Sequence, residues 1–192
     1  MEFFEYKNID HPMKGDLLLS EPLLPDHNFD RTVILLCEHN EEGSFGFVLN
    51  KLSILKVDEV LEEINSFDTN LYVGGPVQQN TLHFIHNIPV LRESGQQIAN
   101  NLYWGGDFDQ LLWLVQHGEI DKDKIRFFVG YSGWSEEQLQ QEIDQNTWIV
   151  ARGVHPSYIF NTAPEKLWKN ILEKMGGRFK VYANYPSDPK LN

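Results

Sequence analysis

The sequence predicts an α+β fold: one compact domain of mixed or mainly antiparallel sheets flanked by about four helices. Three observations carry that prediction. Short segments rich in Val, Ile, Phe, Tyr and Trp recur along the chain, bounded by Gly, Asn, Asp or Pro. They often follow one another directly, without the alternating helices of a doubly wound parallel sheet. Turn signals are spread evenly over 192 residues, and no linker, low-complexity tract or short-period repeat divides the chain.

The elements follow in order. Asp16–Ser20, Thr32–Glu38 and Phe45–Asn50 read as strands. Thr32–Glu38 is apolar at nearly every position, so both its faces are expected to be covered. The polar stretch His39–Ser44, with Gly43, closes a hairpin between Glu38 and Phe45. Val57, Val60, Leu61, Ile64 and Phe67 form one stripe of a helix, with Asp58, Glu59, Glu62 and Glu63 around the rest of it. Leu71–Val73, Leu82–His86 and Ile98–Trp104 read as strands. A second helix starts at Asp107, an N-cap with Gln110 three residues on; it buries Leu111, Leu114 and Val115 and stops at Gly118.

Ile125–Gly130 is the next strand. A third helix is expected from the capping box of Ser135 and Gln138, with Trp134 and Leu139 at the spacing of a hydrophobic staple. Strand Thr147–Arg152 precedes a fourth helix, for which Thr162 and Glu165 repeat the box. That helix carries Leu167, Trp168, Ile171, Leu172 and Met175 and ends at Gly176–Gly177. Arg178–Ala183 reads as a final strand.

Charge and composition exclude whole classes of function. The formal net charge is −12, the wrong sign for displacing counterions from nucleic acid or for docking on anionic lipid. The longest apolar runs, Val33 to Cys37 and Leu111 to Val115, are five residues. A membrane span needs about 20. MEFFEYKNIDHPMKG lacks the basic start and apolar stretch of a signal peptide, so a soluble, cytoplasmic protein is expected. The single Cys37 excludes an internal disulfide and a multi-thiolate metal site.

Motifs for chemistry are sparse. Gly74–Gly75–Pro76, Gly105–Gly106 and Gly130–Tyr131–Ser132–Gly133 are the glycine clusters, and none matches a nucleotide-binding loop. GYSGW reads as a loop joining a buried strand to a helix N-terminus, where free N–H groups would suit an anion. Glu136 and Glu137 in the first turn would oppose that. Ser132 fails the nucleophile-elbow pattern, because Trp134 stands where a glycine is required. Cys37 and His39 lie two apart at a strand end and would share a face, as a thiolate–imidazole pair needs.

Metal chemistry finds less support. The histidines are His11, His27, His39, His83, His86, His117 and His155. Only His83 and His86 are close, and on a strand they would face opposite sides. No motif implies a metal or cofactor. The paired carboxylates Glu41–Glu42, Glu62–Glu63 and Glu136–Glu137 read as solvated turns and helix faces. Trp104, Trp113, Trp134, Trp148 and Trp168 read mainly as core, with the remainder available to line a groove or an oligomer contact.

Taken together, SEPLLPDHNFDRTVILLCEH, GSFGFVLNK, VGGPVQQNTLHFIH, FFVGYSGWSEEQLQQEI and NTWIVA resemble, in content and order, the AlgH-type proteins, also called the YqgE family. These are widespread bacterial proteins of uncharacterised function. The resemblance runs from about Gly15 to Met175. It implies one complex α+β domain of coiled, partly barrel-like sheets over residues 15–192, preceded by an extension at 1–14 outside the family pattern. It brings the label of transcriptional regulator but no catalytic residues. The two Glu after GYSGWS depart from the small residue or Gly common in relatives.

These readings converge on a non-catalytic binding or regulatory role with a protein or small-molecule partner. The expected surface lies where three stretches would meet: Glu38, His39 and Gly43; Gly74, Gly75 and Pro76; and Gly130, Tyr131, Ser132, Gly133 and Trp134. Two alternatives stand beside it. One is an enzyme or small-molecule binder using Cys37 and His39 or the GYSGW stretch; the other is DNA-linked regulation.

Overall fold

The computed structural model describes residues 9–24, 29–64 and 67–186. Outside the described residues lie His27, positions 1–8 of the N-terminal extension, positions 65–66 of the first expected helix, and positions 187–192. The strands are β1 (Leu17–Ser20), β2 (Val33–Asn40), β3 (Gly43–Val48), β4 (Leu52–Lys56), β5 (Asn70–Val73), β6 (Val77–His86), β7 (Gln96–Ala99), β8 (Leu102–Trp104), β9 (Ile125–Ser135) and β10 (Trp148–Ala151). The helices are α1 (Val57–Val60), α2 (Phe108–Gln116), α3 (Gln138–Asp144), α4 (Pro156–Asn161), α5 (Pro164–Met175) and α6 (Gly177–Tyr182).

The strands form one open, branched sheet in the order β10-β1-β2-β3-β9-β6-β8-β7, with β5 paired to β9 and β4 to β5. All pairings are antiparallel except β5 with β9. The branch point is β9. One edge of it carries β6. The other carries β5 against Phe127, Phe128 and Val129, then β3 against Ser132 to Ser135.

Alternation sends successive side chains into different cores. Leu17, Leu19 and Leu35 pack with Trp168 of α5 and Phe179 of α6 on one face. Leu18, Ile34 and Leu36 pack with Leu139 and Ile143 of α3 on the other. A further cluster joins Phe84, Leu111, Leu114 and Phe127. Strand β2 is therefore covered on both faces, as its unbroken apolar run requires.

Local signals hold where a cap or turn decides the backbone. The β2–β3 hairpin turns at Glu41–Glu42. The Asp107 carboxylate accepts from the Gln110 N–H at 3.0 Å and caps α2. Trp134 and Leu139 do share a buried cluster, but with Glu137 as the N-cap of α3 they no longer hold the positions of a staple.

Other boundaries move. The first expected helix is only α1 and a 3₁₀ turn at Glu62–Ile64, because Leu61 takes an extended conformation. Strand β4 precedes it unannounced, with mostly exposed side chains that leave no alternation to read. Ile98–Trp104 is the hairpin β7–β8, turned at Asn100–Asn101, where Asn101 has φ of 56°. Arg178–Ala183 is not a strand. Gly176 turns the chain with φ of 73°, and Phe179, Tyr182 and Ala183 then form a helical stripe on the core.

Thr162 closes α4, and α5 starts at Pro164 with Ala163 as its N-cap and no side-chain cap. A proline at the first helical position supplies the start that the box was expected to give. With α4 added to the expected helices and α6 replacing the last strand, the described residues hold six rather than about four.

Candidate functional site

Backbone pairing and close approach bring the three expected stretches together. The register of β3 on β9 sets Gly43 against Ser135, Ser44 against Trp134 and Phe45 against Gly133. The turn after β5 presses on the same part of β9. A Cβ on Gly75 would sit 2.2 Å from the Tyr131 carbonyl carbon, so only glycine fits. Gly130 has φ of 67°, a left-handed conformation that costs a glycine little. The buried Ser132 hydroxyl donates to the Gly74 carbonyl at 3.2 Å and ties the two stretches.

A cleft of about 570 Å³ opens there. Its lining includes Glu38, Gly43, Tyr131, Gly133 and Trp134 from the expected set. Pro76 faces an adjoining depression with Ser132, Gly133 and Trp134. His39 turns aside to hydrogen-bond the Ser44 hydroxyl through Nδ1 at 2.7 Å. Gly74, Gly75 and Gly130 contribute backbone and close approach rather than lining.

The cleft also holds residues that sequence reasoning missed: Phe45, Val77, His83 and Trp104, with Asn40, Glu42 and Ser44. Four rings lie close together. Phe45 meets Trp104 at 4.7 Å between centroids and Tyr131 at 6.0 Å, inclined by 65° and 77°. His83 lies 6.1 Å from Tyr131 at 88° and 6.3 Å from Trp104 at 40°. The signals available were Trp104 directly before Gly105–Gly106, and the placing of Val77 and His83 in the string after Gly74–Gly75–Pro76.

Hydrogen bonds set the tautomers of the two β6 histidines. The Thr81 hydroxyl donates to the Gln78 carbonyl at 2.7 Å and lies 3.0 Å from His83 Nε2, which leaves Nε2 as the donor in that pair. Burial holds the His83 imidazole below its ordinary pKa, so it is neutral near pH 7. His86 is buried: Nε2 lies 2.9 Å from the Gly105 carbonyl and Nδ1 accepts from the Ile88 N–H at 3.1 Å. Burial first, and Arg92 second, push its pKa down.

Behind the cleft, one Glu142 oxygen accepts from the indole N–H of Trp134 at 2.9 Å and of Trp148 at 2.7 Å. The other accepts from Gln138 at 3.0 Å. This clamp fixes Trp134 between α3 and the sheet. Trp168 is likewise buried, while Trp113 is 53 % exposed and stacked on His117.

Two sequence-based expectations are corrected. Cys37 does not form a pair with His39. It is the extra residue of a β-bulge between Leu36 and Glu38, which breaks the alternation that would have put both on one face. Its thiol lies in the core, 3.6 Å from the Leu35 carbonyl, and burial pushes its pKa well up. A protonated, enclosed thiol is a poor nucleophile.

Nor does GYSGW end a strand at a helix N-terminus. Strand β9 continues to Ser135, because Gly130–Ser135 pairs with β3 and β6. Helix α3 begins at Gln138 after Glu137, whose φ is 59°. The Gln138 side-chain oxygen still accepts from the Ser135 N–H at 3.0 Å, half of the expected box. Among the described residues, no group of three or more His, Cys, Asp or Glu could hold a metal ion.

An open antiparallel sheet with helices packed on both faces, and a glycine-jointed aromatic cleft at its branch point, define a single-domain α+β protein with a preformed pocket. The sequence model of the AlgH-like family matches residues 17–180, and the chain belongs to that family. A UPF0301 protein of Cytophaga hutchinsonii is 48 % identical over 181 residues, covering 93 % of this chain and 98 % of its own. One from Bacteroides fragilis is 40 % identical, covering 94 % and 92 %. Among solved structures, a Corynebacterium diphtheriae protein superposes with a TM-score of 0.75 at 26 % identity, covering 91 % and 93 %. The AlgH protein of Pseudomonas aeruginosa gives 0.69 at 26 % identity, covering 97 % and 98 %.

Proposed function

We propose that this protein acts by binding, without catalysis, and that its partner or small-molecule ligand occupies the cleft between β3, β6, β8 and β9. The observation that carries this reading is the lining. Half-buried aromatic rings and a few polar groups converge there, the composition of a binding pocket. The thiol that could have served as a nucleophile is enclosed in the core instead. A regulatory role would then be exerted through occupancy of this cleft.

DNA is not the partner on this reading, since a net charge of −12 opposes phosphate contacts. A gel-shift titration at low salt is expected to give no complex. The reading places the protein in the cytoplasm, the compartment that suits one unoxidised thiol, and cell fractionation tests it. Residues 15–192 act as the working unit, with 1–14 as an extension outside the family pattern.

The deciding experiment is capture from native cell extract, with mass spectrometry of retained proteins and small molecules. A species held by the wild type and lost from Tyr131→Ala supports the reading, provided the variant keeps its circular dichroism spectrum. Identical profiles from the two proteins overturn it.

A further inference from the structure

We infer that the ligand of this cleft is a small organic ammonium ion, an inference that rests on the binding role proposed above. Phe45, Trp104, Tyr131 and His83 are mutually inclined rather than stacked in one pile. All four rings line the cleft, and the face of an aromatic ring carries the negative part of its quadrupole. A cation within about 6 Å of such faces is attracted to each of them.

Charge points the same way. Glu38 and Glu42 are in the lining, and no Lys or Arg is. The Glu38 carboxylate is held by the Asn40 side-chain amide, which donates to it at 2.9 Å. His83 adds no positive charge near neutral pH, because burial keeps it unprotonated. An anion would face two carboxylates with no compensating cation. A neutral apolar ligand would fit the rings but leave both carboxylates unused.

Size selects within the class. A cleft of about 570 Å³ lies in the range of small-molecule sites. The Phe45 and Trp104 rings, 4.7 Å apart between centroids, give the cleft apolar surface suited to the methyl or methylene groups that surround an alkylated nitrogen. Such groups spread the charge and cost less to dehydrate than a bare ammonium.

The test titrates the full chain with choline, with 3,3-dimethylbutan-1-ol as its uncharged isostere and with a short peptide carrying one trimethyllysine. Calorimetry gives affinity, and the Trp104 indole N–H resonance gives location. Choline is expected to saturate, shift the Trp104 resonance and bind at least about tenfold more tightly than the isostere. Trp104→Ala is expected to weaken choline at least about tenfold, and the double change Glu38→Gln with Glu42→Gln about threefold or more. The two carboxylates are exposed at the rim, so the double variant keeps its fold and serves even where Trp104→Ala does not.

Equal binding of choline and its isostere, failure of choline to saturate, or indifference to the double variant overturns the inference. Tighter binding of the peptide overturns the assignment to a free small molecule. A cleft-dependent species without a cationic group in the extract capture, with no choline binding, defeats this inference and leaves the binding role standing. Absence of any cleft-dependent species defeats the binding role itself.

Discussion

Within β9, the stretch Ile125–Val129 and the stretch Gly130–Ser135 use one backbone differently. In the first, Phe127 enters the cluster with Phe84 and Leu111, and Phe128 enters the opposite core with Phe47, stacked at 4.8 Å. Even its charged residue is drawn inside: Arg126 donates to the Leu49 carbonyl at 2.8 Å and lies 4.4 Å from the Tyr72 ring centroid. In the second, glycines alternate with Tyr131, Ser132 and Trp134, and the strand is crowded by neighbouring backbone. Bulk on both faces makes the first stretch a staple between cores. Smallness lets β3, β6 and the Gly74–Gly75 turn converge on the second and leaves a cleft between their side chains.

Four substitutions or titrations would break or sharpen that contrast. Phe127→Ala removes a fully buried ring and is expected to cost about 3–5 kcal/mol, read by urea denaturation. A loss below about 1 kcal/mol would mean that this stretch is not a staple. Gly75→Ala forces a methyl group into the Tyr131 backbone, and about 1–3 kcal/mol is expected. Its distinguishing mark is a changed Tyr131 environment in the NMR spectrum, which Phe127→Ala should leave smaller.

Glu142→Gln keeps one oxygen acceptor where the carboxylate serves two indoles and Gln138. About 1–2 kcal/mol is expected, with altered Trp134 and Trp148 fluorescence. The smallest effect is in pH. Burial lowers the folded-state pKa of His86 and His83, so the unfolded chain takes up their protons first. Stability is therefore full above the unfolded histidine value near 6.5 and falls as pH drops below it. The slope is at most about 1.4 kcal/mol per pH unit for each group. His86→Gln should flatten the pH 7-to-5 stability profile, and an unchanged profile would assign the effect elsewhere.

What was legible in the sequence was local. A carboxylate at Asp107 and a β-rich apolar run at Val33 to Cys37 each act over a few residues, and each is where it was expected. The glycine stretches also proved to be neighbours, since close backbone approach is what glycine permits. Illegible was anything set by pairing between distant strands. GYSGW carries the local signs of a strand end, yet β3 and β6 hold it extended to Ser135. The bulge at Cys37 depends on which β3 residue lies opposite, so the departure of His39 from the face of Cys37 could not be read from spacing alone.

By itself, the sequence determined the fold class, the strand-rich core and the negative net charge, because these follow from composition, periodicity and short-range capping; its characteristic strings carried the family likeness. Only the tertiary structure decided that β9 branches the sheet, that Cys37 is enclosed, and that His83 and Trp104 stand beside Phe45 and Tyr131. Those outcomes depend on register between segments far apart in the chain. A register is chosen by the summed burial of all the cores at once, and no local pattern encodes it.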